Sequence, residues 1–271
     1  MNIEFSKMHG AGNDFIVIDE TNLEGNVLPS QETIKNLCHR ERGIGADGLI
    51  VLRNEKTSEH DFRMFFFNND GTRESMCGNG LRCASLYAYR YFGMEKTLKA
   101  LTDSGILAAE IVAENTVRIE IPYIEEFKKL SVEGIELYAG NTGVPHAVVF
   151  VDDTKEIDVV KEGKFIRYHK SFHPRGTNVN FVSPVKGTNS RYIIRTYEKG
   201  VEDETLACGT GISASAICSS LFRNAGNKVT FITLSKDELT VEVPCGEKKF
   251  DRVFLTGPAI EVFKGRTLCQ F

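Results

Sequence analysis

With 271 residues, 41% of them hydrophobic and 26% charged, the chain is long enough to bury a sizeable core in one large domain or two ordinary ones. Its net charge of −4 offers no basic excess to follow a phosphate backbone, so nucleic acid is not an expected partner. No apolar run approaches the roughly 18 residues of a membrane span, so a membrane is not expected either.

The opening MNIEFSKMHG lacks the charged-then-apolar pattern of a secretory signal, and the expected compartment is the cytoplasm. In that setting seven cysteines, odd in number and irregular in spacing, read as free thiols. No metal is expected. There is no C-x-x-C pair, and the six histidines fall in none of the usual ligand spacings.

In chain order, FIVID at 15–19 reads as a strand, followed by a helix from about Ser30 to Gly43. FRMFFF at 62–67 is almost continuously apolar, which predicts a strand buried on both faces. A helix follows Cys77 in GLRCASLYAYRYFG, and VRIEI at 117–121 reads as a strand. Further strands are AVVFV at 147–151, NFV at 180–182 and YIIRTY at 192–197. A third helix, GISASAICSSLFRNAG, follows Cys208, and LTVEV at 239–243 and VFLTG at 253–257 close the series. The second and third helices are apolar around most of their circumference, as buried helices are.

Both of those helices start at a Cys-Gly-polar-Gly segment, Cys77-Gly-Asn-Gly and Cys208-Gly-Thr-Gly, 131 residues apart. Other landmarks match at the same offset without a gap. Gly12 falls opposite Gly143, Gly45-Ala-Asp47 opposite Gly176-Thr-Asn178, and Arg63-Met-Phe-Phe opposite Ile194-Arg-Thr-Tyr. Four landmarks in one order predict two homologous halves divided near Pro122, where IEIPYIEEFKK turns polar. Two such lobes predict a pseudo-twofold axis and a cleft receiving one cysteine from each side.

A cysteine at a helix N-terminus is biased toward thiolate by unpaired N–H groups and the helix dipole. The same N–H groups, unobstructed at glycines, can hold a carboxylate. Two opposed cysteines in mixed protonation states could take a proton from one face of a carbon and return one to the other, inverting a stereocentre.

The motifs KMHGAGNDFIVID (7–19), GIGADG (43–48), NNDGTRESMCGNGLRC (68–83), GVPHAVVF (143–150), GTNVNFV (176–182), YEKGVEDETLACGTG (197–211) and LTGPA (255–259) closely resemble the diaminopimelate epimerase family. The resemblance covers nearly the whole chain. It implies interconversion of LL- and meso-diaminopimelate, for lysine and peptidoglycan precursors, without pyridoxal phosphate or any other cofactor. It implies that Cys77 and Cys208 are the two catalytic bases and that Asn13, Asn68 and Asn178 contact substrate. Gly78-Asn79 and Gly209-Thr210 would bind the reacting carboxylate, Glu198 the substrate ammonium, and His146 would stand near the thiols.

The implied fold is α+β. Two pseudo-symmetric lobes each wrap a β-barrel-like sheet around a central helix, with the active site in the cleft between them. The lobes are expected at 1–122, completed by 263–271, and at 123–262. Members are typically homodimers whose partner molecule is a small amino-acid substrate, and they lose activity when the two cysteines form a disulfide. Three positions depart from the commonest pattern: Val144 stands for Asn, Lys199 for Arg, and Gly48 for a residue that is Gln in some members. Lysine offers a point charge where arginine offers a two-point fork, so Lys199 bears on how a distal carboxylate would be held. A racemase of another amino acid, an inactive binding relative and a thiol redox sensor are the alternative readings.

Overall fold

The computed structural model describes residues 3–121, 125–243 and 252–267. The expected boundary at Pro122, together with Cys245, Cys269 and residues 268–271, lies outside them. Two compact units result, Met1–Ile119 with Gly257–Phe271 and Glu120–Thr256. Among the described residues no helix is long and apolar enough to cross a membrane.

The first unit holds β1 (Ile3–Gly10), β2 (Asn13–Asp19), α1 (Gln31–Cys38), β3 (Gly48–Arg53), β4 (Phe62–Asn68), β5 (Arg73–Glu74), α2 (Gly78–Tyr91), β6 (Thr97–Thr102), β7 (Gly105–Ala113) and β8 (Thr116–Ile121), the last reaching just past its end. The chain's last strand, Ile260–Thr267, pairs with β1 and begins the order last strand–β1–β2–β3–β4–β6–β7–β8. Pairs β2–β3 and β4–β6 are parallel and the rest antiparallel. Strands β1, β2, β3, β4, β6 and β7 all touch α2, and every residue from Gly78 to Ala88 is buried. The sheet therefore curves around the helix.

Alternation along each strand divides the apolar side chains between that inner helix and the outer face. Outside, Ile34 and Leu37 of α1 join a cluster with Ile16, Ile18, Leu49, Val51, Phe65 and Phe67. Met64, by contrast, reaches toward Gly80 of α2, where an added Cβ would lie 3.2 Å from its Cε. Cover on both sides is why FRMFFF shows no polar alternation.

The first helix is shorter than its expected run to Gly43. It ends at Cys38, and His39 is already extended. The chain folds back so that Ile44 N and Gly45 N both donate to the Leu37 carbonyl, at 2.9 and 3.1 Å. Gly43 permits this approach, since a Cβ there would sit 2.1 Å from the Asn36 carbonyl oxygen.

The second unit holds β9 (Lys128–Val132), β10 (Ile135–Asn141), β11 (Pro145–Phe150), α3 (Val159–Arg167), β12 (Asn178–Pro184), β13 (Arg191–Glu198), β14 (Asp203–Thr205), α4 (Gly209–Phe222), β15 (Lys228–Ile232), β16 (Glu238–Glu242) and β17 (Val253–Pro258). The last of these runs on past Thr256, and β18 (Ile260–Thr267) is the returning strand of the first unit. Strand order β9–β10–β11–β12–β13–β15–β16–β17 repeats that of the first unit, with β11–β12 and β13–β15 parallel. Helix α4 is buried from Ile212 to Ser219 and touches β10, β11, β12, β15 and β16. Its buried hydroxyls are satisfied within the helix: Ser213, Ser215 and Ser219 each donate to the carbonyl four residues back.

The repeat is not free of gaps. The constant offset pairs Cys77 with Cys208 and Phe15 with His146, but strand register moves β3 and β4 by one residue. Phe15 sits beside Gly48 and His146 beside Asn178; Ile50 sits beside Phe66 and Asn180 beside Thr196. Arg63-Met-Phe-Phe thus corresponds to Ile193-Ile-Arg-Thr. The second unit is one residue shorter before β12 and one longer between β13 and β14. A one-residue slip turns every side chain to the other face, so the burial pattern discriminates. Met64 and Ile194 are both buried, whereas Arg63 and Ile193 are both half-buried. Asn68 consequently corresponds to Glu198, and Gly48 to Asn178.

Helix α3, which the repeat implies but to which the sequence reading assigns no residues, contains Gly163, where an added Cβ would lie 2.4 Å from the Tyr197 Cβ. Gly163→Ala is expected to destabilise the fold. Overpacking costs about 1–3 kcal/mol, more than the roughly 1 kcal/mol that alanine returns as a helix former. Urea unfolding of the variant checks this, and stability equal to or above the parent's contradicts it.

Candidate active site

Cys77 is the N-cap of α2, with extended backbone (φ −138°, ψ 119°), and its Sγ accepts from Gly80 N at 3.4 Å. Its S–H points to Asn13 Oδ1 at 3.8 Å. The direction of that contact follows from the partners further out. Arg82, fully buried, can only donate, and its Nη2 reaches Asn79 Oδ1 at 2.8 Å. The Asn79 amide nitrogen therefore faces Asn13 Oδ1, at 3.2 Å. At the far end the Asp47 carboxylate can only accept, and it takes Asn13 Nδ2 at 2.9 Å. Both amides are thus fixed, with a carbonyl oxygen toward Cys77.

Asp47 is itself held. Its Oδ1 takes Arg40 at 2.6 Å, and Arg40 also grips Asp14, which pairs with Lys7 at 2.7 Å. Burial pushes the Asp14 pKa up, but Arg40 and Lys7 outweigh it and hold the carboxyl well below the usual range. The second nitrogen contact of Arg82, Nε to the Pro258 carbonyl at 3.0 Å, ties α2 to the end of the chain.

Cys208 is the N-cap of α4 (φ −114°, ψ 107°), and its side chain meets a different group. Its Sγ lies 3.4 Å from Thr210 Oγ1. The same hydroxyl is 3.0 Å from His146 Nε2, and His146 Nδ1 is 3.1 Å from Asn180 Nδ2. Asn180 is oriented by two neighbours: Nδ2 donates to the Ala147 carbonyl at 3.1 Å, and Oδ1 accepts from Thr196 Oγ1 at 3.0 Å. His146 is fully buried, which pushes its pKa down to about 3 and leaves the ring neutral at ordinary pH. Gly211 makes room for this network, since a Cβ there would fall 2.2 Å from Asn180 Oδ1.

The remaining expected residues lie at strand ends and turns. Asn178, buried, accepts from Lys199 N at 2.8 Å and donates to the Pro145 carbonyl at 3.1 Å. It therefore holds the turn after Glu198, with the Lys199 side chain exposed. Asn68 closes β4 and donates to Thr72 Oγ1 at 3.1 Å, within its own turn. Gly78 and Gly209, both buried, follow the capping cysteines as the first residues of α2 and α4. Val144 is exposed. Gly48 cannot carry a longer side chain unchanged: a Cβ would meet the Phe67 carbonyl oxygen at 2.7 Å and the Phe66 ring at 2.8 Å.

Asp47, Arg82, Asn180 and Thr196 belong to these networks but were not read as site residues. One signal was available for Asn180: in NVNFV it lies two residues from Asn178, on the same strand face. The other cysteines differ from the capping pair. Burial pushes Cys38 and Cys83 up to about 12 and raises Cys218 well above the ordinary thiol value, so these stay protonated at neutral pH.

The model of one protein family, diaminopimelate epimerase, matches residues 5–122 and 138–262. A diaminopimelate epimerase of Aquifex aeolicus is 42% identical over 277 residues, covering 97% of each chain. One from Hydrogenobaculum is 39% identical, covering 96% of each, and one from Archaeoglobus fulgidus is 39% identical, covering 98% of this chain and 96% of its own. Among solved structures, a Bacillus anthracis phenazine biosynthesis protein of the PhzF family matches the fold with a TM-score of 0.73 at 15% identity, covering 99% of this chain and 100% of its own. A hydroxyproline epimerase from Agrobacterium vitis matches with a TM-score of 0.69, also at 15% identity, covering 98% of this chain and 91% of its own. Those two share the architecture only. The relatives that match end to end, together with the two capping-cysteine segments inside the matched residues, make the chain a member of the diaminopimelate epimerase family.

Proposed function

We propose that the protein epimerises diaminopimelate between its LL and meso forms, without pyridoxal phosphate, and serves lysine and peptidoglycan precursor synthesis. The observation that carries this reading is the pair of cysteines capping equivalent buried helices, Cys77 on α2 and Cys208 on α4.

The chemistry asks two things of such a pair. One sulfur, as thiolate, removes the α-proton from one face, and the other, as thiol, delivers a proton to the opposite face. Reversal of the reaction exchanges the roles. A helix N-terminus favours an anion by about 0.3–1 kcal/mol, and up to roughly 2 kcal/mol when partly buried, which lowers the cost of a thiolate and of a bound carboxylate alike. In the proposed complex the N–H groups of Gly78-Asn79 and Gly209-Thr210 hold the reacting carboxylate. Asn13, Asn68 and Asn178 line the substrate, Glu198 meets its ammonium group, and Lys199 faces the distal carboxylate. General-base help accounts for about 10²–10⁴-fold. The rest of the barrier falls to fixed donors around the developing carbanion and to exclusion of water.

The family reading also supports a cytoplasmic homodimer, and lobes divided at 1–122 with 263–271 and at 123–262, as part of the same proposal.

Cys77→Ser and Cys208→Ser are each expected to lose at least about 10²-fold of turnover in both directions, because serine is a far weaker base. Coupled assays with LL- and meso-diaminopimelate check this, and parental rates in either variant would remove the two-base mechanism. Mild oxidation is expected to join Cys77 to Cys208 and to inactivate the enzyme until reductant is added. Full activity with that disulfide demonstrated by peptide mapping contradicts the assignment of the thiols as acid and base.

A further inference from the structure

Strands β13 and β14 pair at Glu198 and Asp203, and residues 199–202 form the turn between them. That turn carries Lys199 and leaves the sheet at Glu198, the two residues proposed to meet the charged groups of the substrate. Its backbone is taken up by side-chain oxygens at two successive positions. Lys199 N donates to Asn178 Oδ1 at 2.8 Å, and Gly200 N donates to Glu202 Oε1 at 3.1 Å. Glu202 N donates back to the Glu198 carbonyl at 2.8 Å and closes the turn.

The Glu202 carboxylate reaches well beyond its own turn. Oε1 also accepts from Arg167 Nη2 at 3.1 Å, and Oε2 accepts from the Tyr197 hydroxyl at 3.1 Å. Tyr197 is buried, and Arg167 is the last residue of α3, which packs on β12 and β13. The guanidinium lies against the backbone of Gly176, where an added Cβ would overlap Nη1. Gly176 stands two residues before Asn178, so both anchors of the turn start from one packed frame. Burial pushes the Glu202 pKa up, but the Gly200 N–H, the Tyr168 hydroxyl, Arg167 and Tyr197 outweigh it and bring it down to about 2. The carboxylate is therefore charged at neutral pH, and its bonds to these donors are charge-assisted.

The backbone of Glu202 is left-handed (φ 58°), a conformation uncommon for glutamate. Backbone preference alone would put glycine or asparagine there. The bonds made by the carboxylate offset that cost. In the first unit the corresponding turn, after Asn68, is closed by a shorter acid: Asp70 Oδ1 accepts from Thr72 N at 2.8 Å and from its hydroxyl at 2.6 Å, inside the turn.

We propose that Glu202 is a positioning residue: gripped by Arg167 and Tyr197, it fixes the turn and through it the starting points of Glu198 and Lys199. The proposal rests on the reading that those two residues meet the substrate. The Lys199 side chain is exposed, and a lysine presents a single charge on a flexible stem. The precision with which it meets a distal carboxylate then depends on where its backbone is held.

The test uses the full-length protein and the variants Glu202→Ala, Glu202→Gln, Lys199→Ala and the double alanine variant. Without substrate, amide hydrogen exchange at Gly200 read by NMR is expected to be about tenfold faster or more in Glu202→Ala, with the central strands unchanged. With LL-diaminopimelate, KM is expected to rise about tenfold in Glu202→Ala while kcat stays within about threefold. Lys199→Ala should add little to KM in the Glu202→Ala background, because the two substitutions disturb one contact. Glu202→Gln keeps an oxygen for Gly200 N and loses the charge that Arg167 meets, so its KM should fall between parent and alanine. It carries the same two readouts if the alanine variant does not fold. A merely structural role would lower the urea midpoint and the active fraction and leave KM at the parental value. That result overturns the proposal, as does parental exchange at Gly200 or full additivity with Lys199→Ala. If the parent does not turn over diaminopimelate, the epimerase reading falls, and exchange at Gly200 alone decides whether Glu202 fixes the turn.

Discussion

A cysteine at the N-cap of a buried helix is the constraint around which each unit is organised. The helix must be buried for its N-terminus to act in a poorly solvated setting, and burial on all sides requires a sheet that curves around it. It also requires small residues where the sheet comes near. Gly80 and Gly211 answer that need at equivalent places: an added Cβ would meet Ile50 and Met64 in one unit and Asn180 in the other. Polar groups carried into such a core need partners inside it, and the serines of α4 find them on their own helix.

The same constraint explains where the two units part company. Backbone and strand order repeat, so the capping cysteines recur in the same local frame. The side chains beneath them do not repeat. One set is aromatic and aliphatic, and the other is a connected series from Thr196 through Asn180 and His146 to Thr210. A two-base reaction needs unlike partners at any instant, one protonated and one not. The repeated backbone thus surrounds its two capping cysteines with unlike side chains.

Much of this was legible in the sequence, for physical reasons. The Cys-Gly-polar-Gly segments mark helix starts because glycine tolerates close approach and a cysteine sulfur at the cap can face the first N–H groups, as Cys77 does toward Gly80 N. The apolar run FRMFFF announced a strand covered on both faces, and the structure covers both. What the sequence hid was register. Loops of unequal length on either side of β12 and β13 cancel over the whole repeat, so the cysteines keep a constant spacing while the intervening strands slip by one. Read at constant spacing, Asn68 falls opposite Lys199; in the sheet it corresponds to Glu198. The place of helix α3, which the repeat implied, was hidden by Gly163, a poor helix former where Tyr197 leaves no room for a side chain. The orientations of Asn13, Asn79 and Asn180 depend on donors and acceptors brought from distant strands, which no local pattern records.

The family relation and the two-thiol chemistry meet in the fate of one hydrogen. The most direct measurement is proton NMR in D₂O of the reduced protein with LL-diaminopimelate, beside proline, glutamate, lysine and histidine, with no pyridoxal phosphate added. Deuterium should enter the α-position of diaminopimelate alone, with the meso isomer accumulating. Exchange confined to another amino acid, or none into any of them with the thiols shown to be reduced, would contradict diaminopimelate epimerisation by Cys77 and Cys208.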